Sequence, residues 1–199
     1  MHTAVDWGER YRIDHTPWDL GAAHPALIAA IESGELQPPH EGARAFVPGC
    51  GRAHDAFALA RAGWRVTAAD LVEDLRPVIE PELAPFGGDF ISGDSLAIET
   101  EEPYDLFWEH TFFCAIHPDR RADYGTLARR ILAPNARLVA LIFPIGRPDD
   151  RGGPPWRVDN KLYESAIGDG FERESLGPLT PRVQGREWSE QLAVYRRKA

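Results

Sequence analysis

Cysteine is scarce in this sequence: Cys50 and Cys114 are the only two among 199 residues. They can form at most one disulfide, and neither belongs to a CxxC pair, so a zinc site built on cysteine is not expected. Metal-ligand spacing with nearby carboxylates is also missing around the histidines at positions 15, 24, 40, 54 and 117. We therefore predict no metal site, and a reducing cytoplasm is the simplest setting for the chain.

Long apolar runs and a basic leader are missing as well. No segment approaches the roughly 20 apolar residues that cross a bilayer, and residues 1–12 lack the basic and then apolar pattern of a signal peptide. Positive charge is in deficit, with 22 Lys and Arg against 31 Asp and Glu and a net charge of −9. Because nucleic acids are bound mainly through Lys and Arg, we expect neither a nucleic-acid partner nor a membrane.

The composition that remains is typical of a globular protein. Hydrophobic residues make up 43% of the chain and charged residues 27%, which is ordinary for such proteins. A length near 200 residues favours one domain. We expect residues 1–199 to form a single domain, with 1–23 as an N-terminal cover segment, and the protein to be a monomer or a weak homo-oligomer.

Short apolar strands alternate with helical segments along most of the chain. Continuous apolar strands indicate a parallel sheet that is covered on both faces. The last two strands are joined too closely for a crossover helix, which predicts an antiparallel hairpin at one edge. The fold class is therefore α/β, a doubly wound and mostly parallel sheet with an antiparallel C-terminal hairpin. Strands are predicted at 44–47, 65–69, 90–92, 104–109, 137–143, 171–176 and 192–196, and helices at 25–33, 53–62, 72–83, 120–132 and 160–167.

A turn with two glycines follows the first predicted strand, in the run VPGCGRAHD at 47–55. Gly49 and Gly51 permit a tight turn and a close approach of the backbone to a ligand. The helix N-terminus behind them suits a carboxylate or a phosphate. A turn of this kind is also a common structural loop, and the third glycine of the dinucleotide fingerprint is absent.

Acidic residues stand at the ends of the next two predicted strands. Asp70 lies about 20 residues after the glycines, where a carboxylate accepts hydrogen bonds from a ribose diol, although it could instead cap the next helix. Asp94 stands where an adenine amino group would lie, or is a turn residue in the run SGDS at 92–95. Three strand ends thus offer contacts to an amino-acid tail, a ribose and a base, an order that suits S-adenosylmethionine better than NAD.

Several longer stretches of the sequence carry a family resemblance. They are WGERY at 7–11, TPWDLG at 16–21, VPGCGRAHD at 47–55, YDLFWEHTFFCAIHP at 104–118 and GGPP at 152–155. In this order they resemble the thiopurine S-methyltransferase family, particularly its members that act on thiols and halides. The resemblance implies an enzyme that methylates a small nucleophile, usually sulfur or a halide, and converts S-adenosylmethionine to S-adenosylhomocysteine.

The same resemblance implies roles for individual residues of the cofactor site. Trp18 matches a residue that closes over the cofactor, and Glu109 matches a position near its amino end. Gly49 and Gly51 are expected to contact the methionine part of the cofactor. Asp70 is expected to contact its ribose, and Asp94 with Ser95 its adenine.

His110 is the candidate catalytic residue. It occupies a position that faces the substrate in relatives, where better known members have arginine or tyrosine, so thiopurine and halide specificity stay open. Methyl transfer from a sulfonium is an in-line displacement, for which an enzyme aligns two reactants and excludes water. His110 could accept the proton of a thiol or, when protonated, attract an anionic nucleophile. It could equally be a packed side chain without a chemical role.

Aromatic and basic residues near these motifs are candidates for the acceptor pocket. We expect Arg10 and Tyr11 of the cover segment, together with Phe112 and Trp156, to face the substrate, since aromatic faces attract a sulfonium cation. The residues 144–157 form a loop rich in glycine and proline, which is either a lid or an inert connector.

The sequence thus predicts a methyltransferase that acts on a small molecule, with sulfur as the preferred acceptor. An oxygen or nitrogen acceptor is the alternative within this class of enzyme. Two alternatives are not methyltransferases. One is a regulator that binds S-adenosyl compounds without turnover, and the other is a nicotinamide-dependent oxidoreductase on a similar sheet.

Overall fold

A computed structural model describes residues 5–179 and 183–199 of the chain. Seven strands form one sheet in the order β3-β2-β1-β4-β5-β7-β6. The pairs among the first five strands are parallel, whereas β7 pairs antiparallel with both β5 and β6. The predicted fold class, with its C-terminal hairpin, is confirmed. The strands are β1 Arg44–Pro48, β2 Arg65–Asp70, β3 Asp89–Ser92, β4 Tyr104–His110, β5 Leu132–Ile145, β6 Phe171–Pro178 and β7 Ser189–Arg197.

Helices cover both faces of this sheet. Successive strand residues point to opposite faces, so Phe46 and Phe107 join a core layer with α5 and α6, while Val47 and Trp108 join the layer under α2, α3 and α4. Two apolar layers therefore fix the sheet between the helices. The helices are α1 Trp7–Arg12, α2 Pro25–Glu32, α3 His54–Arg61, α4 Arg76–Leu83, α5 Arg121–Ile131 and α6 Asn160–Ile167.

Most elements differ from prediction by only a few residues at their ends, and three differ more. The cover segment, in which no helix is predicted, contains α1, which begins after Asp6 because the Asp6 carboxylate accepts a hydrogen bond from the Glu9 N–H. The helix predicted from residue 72 begins only at Arg76, since a 3-10 turn comes first and Pro77 suits a first helical turn. The strand predicted at 137–143 is longer and spans Leu132–Ile145.

The carboxyl ends of β1 to β4 lie along one edge of the sheet. Strand order reverses between β1 and β4, which is where open α/β sheets bind their ligands. Within residues 5–179 and 183–199, no helix has the length and apolar character that a bilayer span requires.

Candidate active site

A cavity of about 620 Å³ opens at this edge of the sheet. It brings together eight of the twelve predicted site residues, namely Arg10, Tyr11, Trp18, Gly49, Asp70, Asp94, Ser95 and Phe112. Gly51 and His110 line a smaller adjoining cleft of about 50 Å³, which shares Trp18 and Gly49 with the cavity. Neither Glu109 nor Trp156 is among the residues that line either space.

The glycine turn after β1 is held by its neighbour β2. The Gly51 N–H donates to the Asp70 carboxylate at 3.0 Å, and the Cys50 N–H donates to the Ala69 carbonyl at 2.9 Å. Gly49 and Gly51 have φ of +55° and +54°, a conformation that favours glycine. A Cβ on Gly49 would lie 2.5 Å from the Phe112 ring. The turn therefore needs glycine for both its backbone conformation and its close packing.

Asp70 is buried at the end of β2 and turns its carboxylate toward this turn. Besides the Gly51 N–H, the carboxylate accepts the Val72 N–H at 3.1 Å, and burial raises the pKa of Asp70. It does not cap the next helix, because α4 begins at Arg76. Leu71 follows with 56% of its surface exposed and lines the cavity. This apolar wall beside a carboxylate is a feature that our sequence reasoning missed.

Asp94 serves as a turn residue and lines the cavity as well. Its carboxylate accepts the Leu96 N–H at 3.0 Å and pairs with Arg120 at 2.9 Å. Ser95 is buried in the same wall. The two alternatives for Asp94 are thus compatible, since the turn presents the residue to the cavity.

The cover segment brings three aromatic side chains to the opposite wall. The Trp18 ring contacts the rings of Trp7 and Tyr11, with centroids 5.3 Å and 5.9 Å away. The Tyr11 hydroxyl lies over Gly51, 3.0 Å from where a Cβ would be. Burial and the charge of Asp70 raise the pKa of Tyr11, so its hydroxyl keeps its proton. The glycine turn is therefore covered from this side.

Glu109 is buried beneath the turn that follows β4. One of its carboxylate oxygens accepts the N–H groups of Phe112 and Phe113 at 2.8 Å and 3.0 Å. Burial raises the pKa of Glu109 to about 7. The carboxyl group thus supports the turn that presents Phe112 to the cavity, and its contact with a cofactor stays a prediction.

His110 uses both of its ring nitrogens. Nε2 is 2.8 Å from an Arg186 nitrogen, and Nδ1 is 2.9 Å from the Asp55 carboxylate. Arginine can only donate hydrogen bonds, so Nε2 accepts and the proton lies on Nδ1. His110 is therefore a neutral imidazole whose only lone pair faces a guanidinium. Whether it takes a proton from a substrate stays a prediction.

Arg186 is a cavity residue that sequence reasoning missed. It lies between β6 and β7, and its side chain is only 10% exposed. It pairs with Glu190, donates to His110 and stacks on the Phe143 ring at 4.8 Å. Its guanidinium places a positive charge in a wall that is otherwise mostly apolar, beside Phe143 and Trp188.

His24, His110 and Glu190 form the one group of three possible metal ligands found within the described residues. His24 accepts the Ala26 N–H on Nδ1 at 3.1 Å, so its Nε2 carries the proton. Burial lowers the pKa of His24 well below its ordinary value, which keeps the ring neutral. Since Arg186 already contacts His110 and Glu190, its guanidinium stands where a cation would bind.

The loop after β5 contributes Pro154 and Pro155 to the cavity wall. Trp156 lies beside them, where its backbone N–H donates to the Cys114 carbonyl at 2.7 Å and its ring contacts the His117 ring at a centroid distance of 5.0 Å. Its position anchors the loop to the turn after β4, and its role as a substrate residue stays a prediction. Cys114 is a buried free thiol, and Cys50 is free as well.

Comparison with known proteins identifies the family of this chain. The family model described as thiopurine S-methyltransferase matches residues 2–191. The chain belongs to the thiopurine S-methyltransferase family. The predicted family membership is thereby confirmed.

Two curated plant proteins illustrate the relationship. The chain is 32% identical to a probable thiol methyltransferase 2 of Arabidopsis thaliana, over 97% of this chain and 85% of the relative. It is 30% identical to thiocyanate methyltransferase 1 of the same species, over 99% of this chain and 88% of the relative. The similarity therefore extends through nearly the whole chain.

Solved structures share the fold at lower identity. One comes from work on the conversion of a disulfide bond into a thioacetal group during echinomycin biosynthesis, with a TM-score of 0.72, 24% identity, and coverage of 92% of this chain and 85% of that one. Another is the Burkholderia thailandensis 1,6-didemethyltoxoflavin N1-methyltransferase with bound S-adenosylhomocysteine, with a TM-score of 0.71, 20% identity, and coverage of 98% and 86%. This family member is an S-adenosylmethionine-dependent methyltransferase.

The residues present fit that cofactor. Gly49 offers backbone without a side chain, Asp70 offers a buried carboxylate, and Leu71 offers an exposed apolar surface along one wall. A glycine turn followed by an acidic residue at the end of the next strand is an arrangement that binds nucleosides in open α/β sheets.

Proposed function

We propose that this methyltransferase acts on the sulfur of a small anionic acceptor, either a thiolate or a pseudohalide such as thiocyanate. The observation that carries the proposal is the guanidinium of Arg186 in an apolar cavity wall, where pairing with Glu190 and His110 uses two of its five N–H donors and leaves others for an anion. A buried positive charge favours the ionised form of a nearby acid, and the pKa of a thiol is near 8.5, so the thiolate would bind at neutral pH. The plant relatives named for thiol and thiocyanate support the same class of acceptor.

The chemistry needs alignment more than proton transfer. When bound, S-adenosylmethionine supplies a methyl group on a sulfonium and leaves as a neutral thioether. The acceptor sulfur provides the electron pair of the new carbon–sulfur bond, and the proton of a thiol passes to water when Arg186 stabilises the thiolate. Phe112, Phe143 and Trp188 keep bulk water away from the acceptor. His110 remains our candidate catalytic group for a thiol that enters with its proton, which requires Arg186 to release the Nε2 lone pair.

We propose that the wall from β1 to β3 binds the cofactor. Gly49 and Gly51 would contact its methionine part, Asp70 its ribose, and Asp94 with Ser95 its adenine. Trp18 would close over it, and Glu109 would lie near its amino end. Arg10, Tyr11, Phe112 and Trp156 are proposed for the acceptor side.

A panel of acceptors tests the function directly. The protein is incubated with methyl-labelled S-adenosylmethionine and with thiols, thiocyanate, halides, phenols and amines. We expect transfer to thiols or thiocyanate at rates above those for phenols and amines. Preferred methylation of an oxygen or nitrogen acceptor would overturn the sulfur assignment. Tight binding of S-adenosylhomocysteine without transfer to any acceptor would favour a regulator.

Arg186→Met tests the role of the guanidinium. Hydrogen bonds to charged groups contribute roughly 1.5–3 kcal/mol, so we expect KM for an anionic acceptor to rise about tenfold to a hundredfold. Arg61→Met is the matched control, because Arg61 is exposed, pairs with Glu82, and neither residue lines the cavity. An unchanged KM in Arg186→Met would rule out Arg186 as the anion contact.

We also propose that the protein works in the cytoplasm, as a monomer or a weak homo-oligomer and without a nucleic-acid partner. The two free cysteines and the net charge of −9 support this setting. Sedimentation velocity over a range of protein concentrations tests the oligomeric state. A tight oligomer at micromolar protein would contradict the proposal.

A further inference from the structure

Asp55 is a buried carboxylate on which three hydrogen-bond donors converge. It stands in the first turn of α3, directly after the glycine turn, and is 8% exposed. One of its oxygens accepts the His24 N–H at 2.7 Å, and the other accepts the Trp108 indole N–H at 2.8 Å and His110 Nδ1 at 2.9 Å. Although burial opposes its charge, the hydrogen bonds that it accepts from His110, His24 and Trp108 lower the pKa of Asp55.

These contacts decide where the proton of His110 lies. The backbone N–H and the indole N–H can only donate, so the carboxylate must accept throughout. It therefore draws the imidazole proton to Nδ1 and leaves a lone pair on Nε2. That lone pair accepts from Arg186, whose other terminal nitrogen pairs with Glu190. A continuous chain of hydrogen bonds thus runs from α3 to the cavity wall.

We propose that Asp55 is a positioning residue of the acceptor site, which fixes the tautomer of His110 and through it holds the Arg186 guanidinium at the cavity wall. Asp55 itself does not line the 620 Å³ cavity. The kinetic consequence of this inference rests on the proposed function, whereas the tautomer itself does not.

An amide cannot replace this carboxylate. Asparagine has one acceptor oxygen, and its NH₂ group would face at least one of the three donors. If that donor is His110 Nδ1–H, the imidazole must move its proton to Nε2, and two donors then meet at Arg186. In serine proteases the equivalent exchange of aspartate for asparagine leaves the geometry intact but selects the wrong tautomer.

The first experiment measures the tautomer without turnover. Nitrogen-15 spectra of the histidine-labelled protein distinguish protonated from unprotonated ring nitrogens, and His110→Gln identifies the His110 signals by their loss. We expect the proton on Nδ1 in the unsubstituted protein and a population with the proton on Nε2 in Asp55→Asn. Trp108→Phe is the matched control, because it removes another donor to the same carboxylate and should leave the tautomer unchanged. An unchanged tautomer both in folded Asp55→Asn and in folded Asp55→Ala, which offers Nδ1 no acceptor in either amide orientation, would overturn the proposal.

Arg186→Met approaches the same question from the other end and leaves Asp55 in place. If Asp55 sets the tautomer, the His110 proton stays on Nδ1 after Arg186 is removed. A shift of the proton to Nε2 in this variant would show that Arg186 sets the tautomer and would overturn the proposal even if Asp55→Asn fails to fold.

The second experiment is a double-mutant cycle on the acceptor kinetics. We expect Asp55→Asn to raise KM for an anionic acceptor about tenfold, with kcat changed less and S-adenosylhomocysteine binding retained. When Arg186→Met is already present, Asp55→Asn should raise KM no more than about twofold further, because both substitutions act through the same guanidinium. Asp55→Glu, which restores a carboxylate, should recover part of the lost affinity. Independent, multiplying effects would overturn the proposal.

Failure of the two hypotheses is distinguishable. If no sulfur acceptor is methylated, the proposed function fails, yet the spectra of His110 still decide the role of Asp55. If sulfur acceptors are methylated but the His110 tautomer does not change when Asp55 is substituted, the proposed function stands and only this inference fails.

Discussion

Gly49 is the residue of the site that tolerates the least change. Its φ of +55° strains any L side chain, and a Cβ would press on the Phe112 ring. We expect Gly49→Ala to weaken S-adenosylhomocysteine binding at least tenfold and to lower the free energy of unfolding by about 1–3 kcal/mol. Calorimetric titration and urea denaturation measure the two effects.

Gly146→Ala separates backbone strain from steric collision. Gly146 has φ of +86° with open space where its Cβ would be, so the substitution should cost about 1 kcal/mol and leave binding unchanged. Equal binding losses at the two positions would contradict our account of the Gly49 turn.

Glu109 predicts a pH dependence of stability. Its pKa of about 7 in the folded protein lies above the ordinary value of 4.5. Because the fold favours the protonated form, its contribution to stability is fully present below about pH 4.5 and is lost as the pH rises through about 7. Glu109→Gln cannot ionise and keeps an oxygen for the N–H groups of Phe112 and Phe113.

We therefore expect Glu109→Gln to match the unsubstituted protein near about pH 5 and to be more stable by roughly 1–3 kcal/mol near about pH 8. Denaturant unfolding at several pH values measures the difference between the two proteins. A difference that does not vary with pH would show that Glu109 ionises normally in the fold.

The predictability of single residues follows from what fixes their position. Asp70 and Asp94 could be predicted, because strand ends in a parallel sheet meet at one edge. Arg186 could not, because it lies in an irregular segment and reaches His110 across 76 positions of the chain. No local pattern encodes a contact of that sequence separation.

At the scale of secondary structure elements, the sequence predicted those helices and strands that are long or that end at a proline or glycine. The apolar run of β1 lies before a proline and a glycine, and its position was predicted closely. The six residues of α1 are too few to show helical periodicity. Asp6 followed three positions later by Glu9 is a capping signal that would have located this helix.

At Gly125 of α5, we expect alanine to destabilise the protein, although alanine normally stabilises a helix. Alanine normally stabilises a helix by about 1 kcal/mol relative to glycine. At Gly125 its Cβ would collide with the Ala166 carbonyl of α6, so we expect Gly125→Ala to lower the free energy of unfolding by about 2–4 kcal/mol. Gly8→Ala in α1 has room for its Cβ and should follow the normal propensity instead. Thermal unfolding of the two variants would refute this account if both were stabilised.

At the scale of the whole molecule, the alternation of strands and helices was enough to predict the sheet but not its last pairings. The sequence predicts that the last two strands form a hairpin. Which of the two pairs with β5 depends on contacts between distant segments, which the sequence pattern does not contain. The structure inserts β7 between β5 and β6. That order brings Glu190 of β7 close to His24 and Arg186, so the C-terminal part of the chain supplies the carboxylate that pairs with the Arg186 side chain.

The distribution of tryptophan gives this enzyme an optical property. Three of its six tryptophans, Trp7, Trp18 and Trp188, line the cavity, while Trp64 and Trp108 are buried in the core. Filling the cavity therefore changes the polarity around half of the indole rings and leaves the core rings as an internal reference. Intrinsic fluorescence can thus report occupancy, so cofactor and acceptor can each be titrated without a label or a coupled assay.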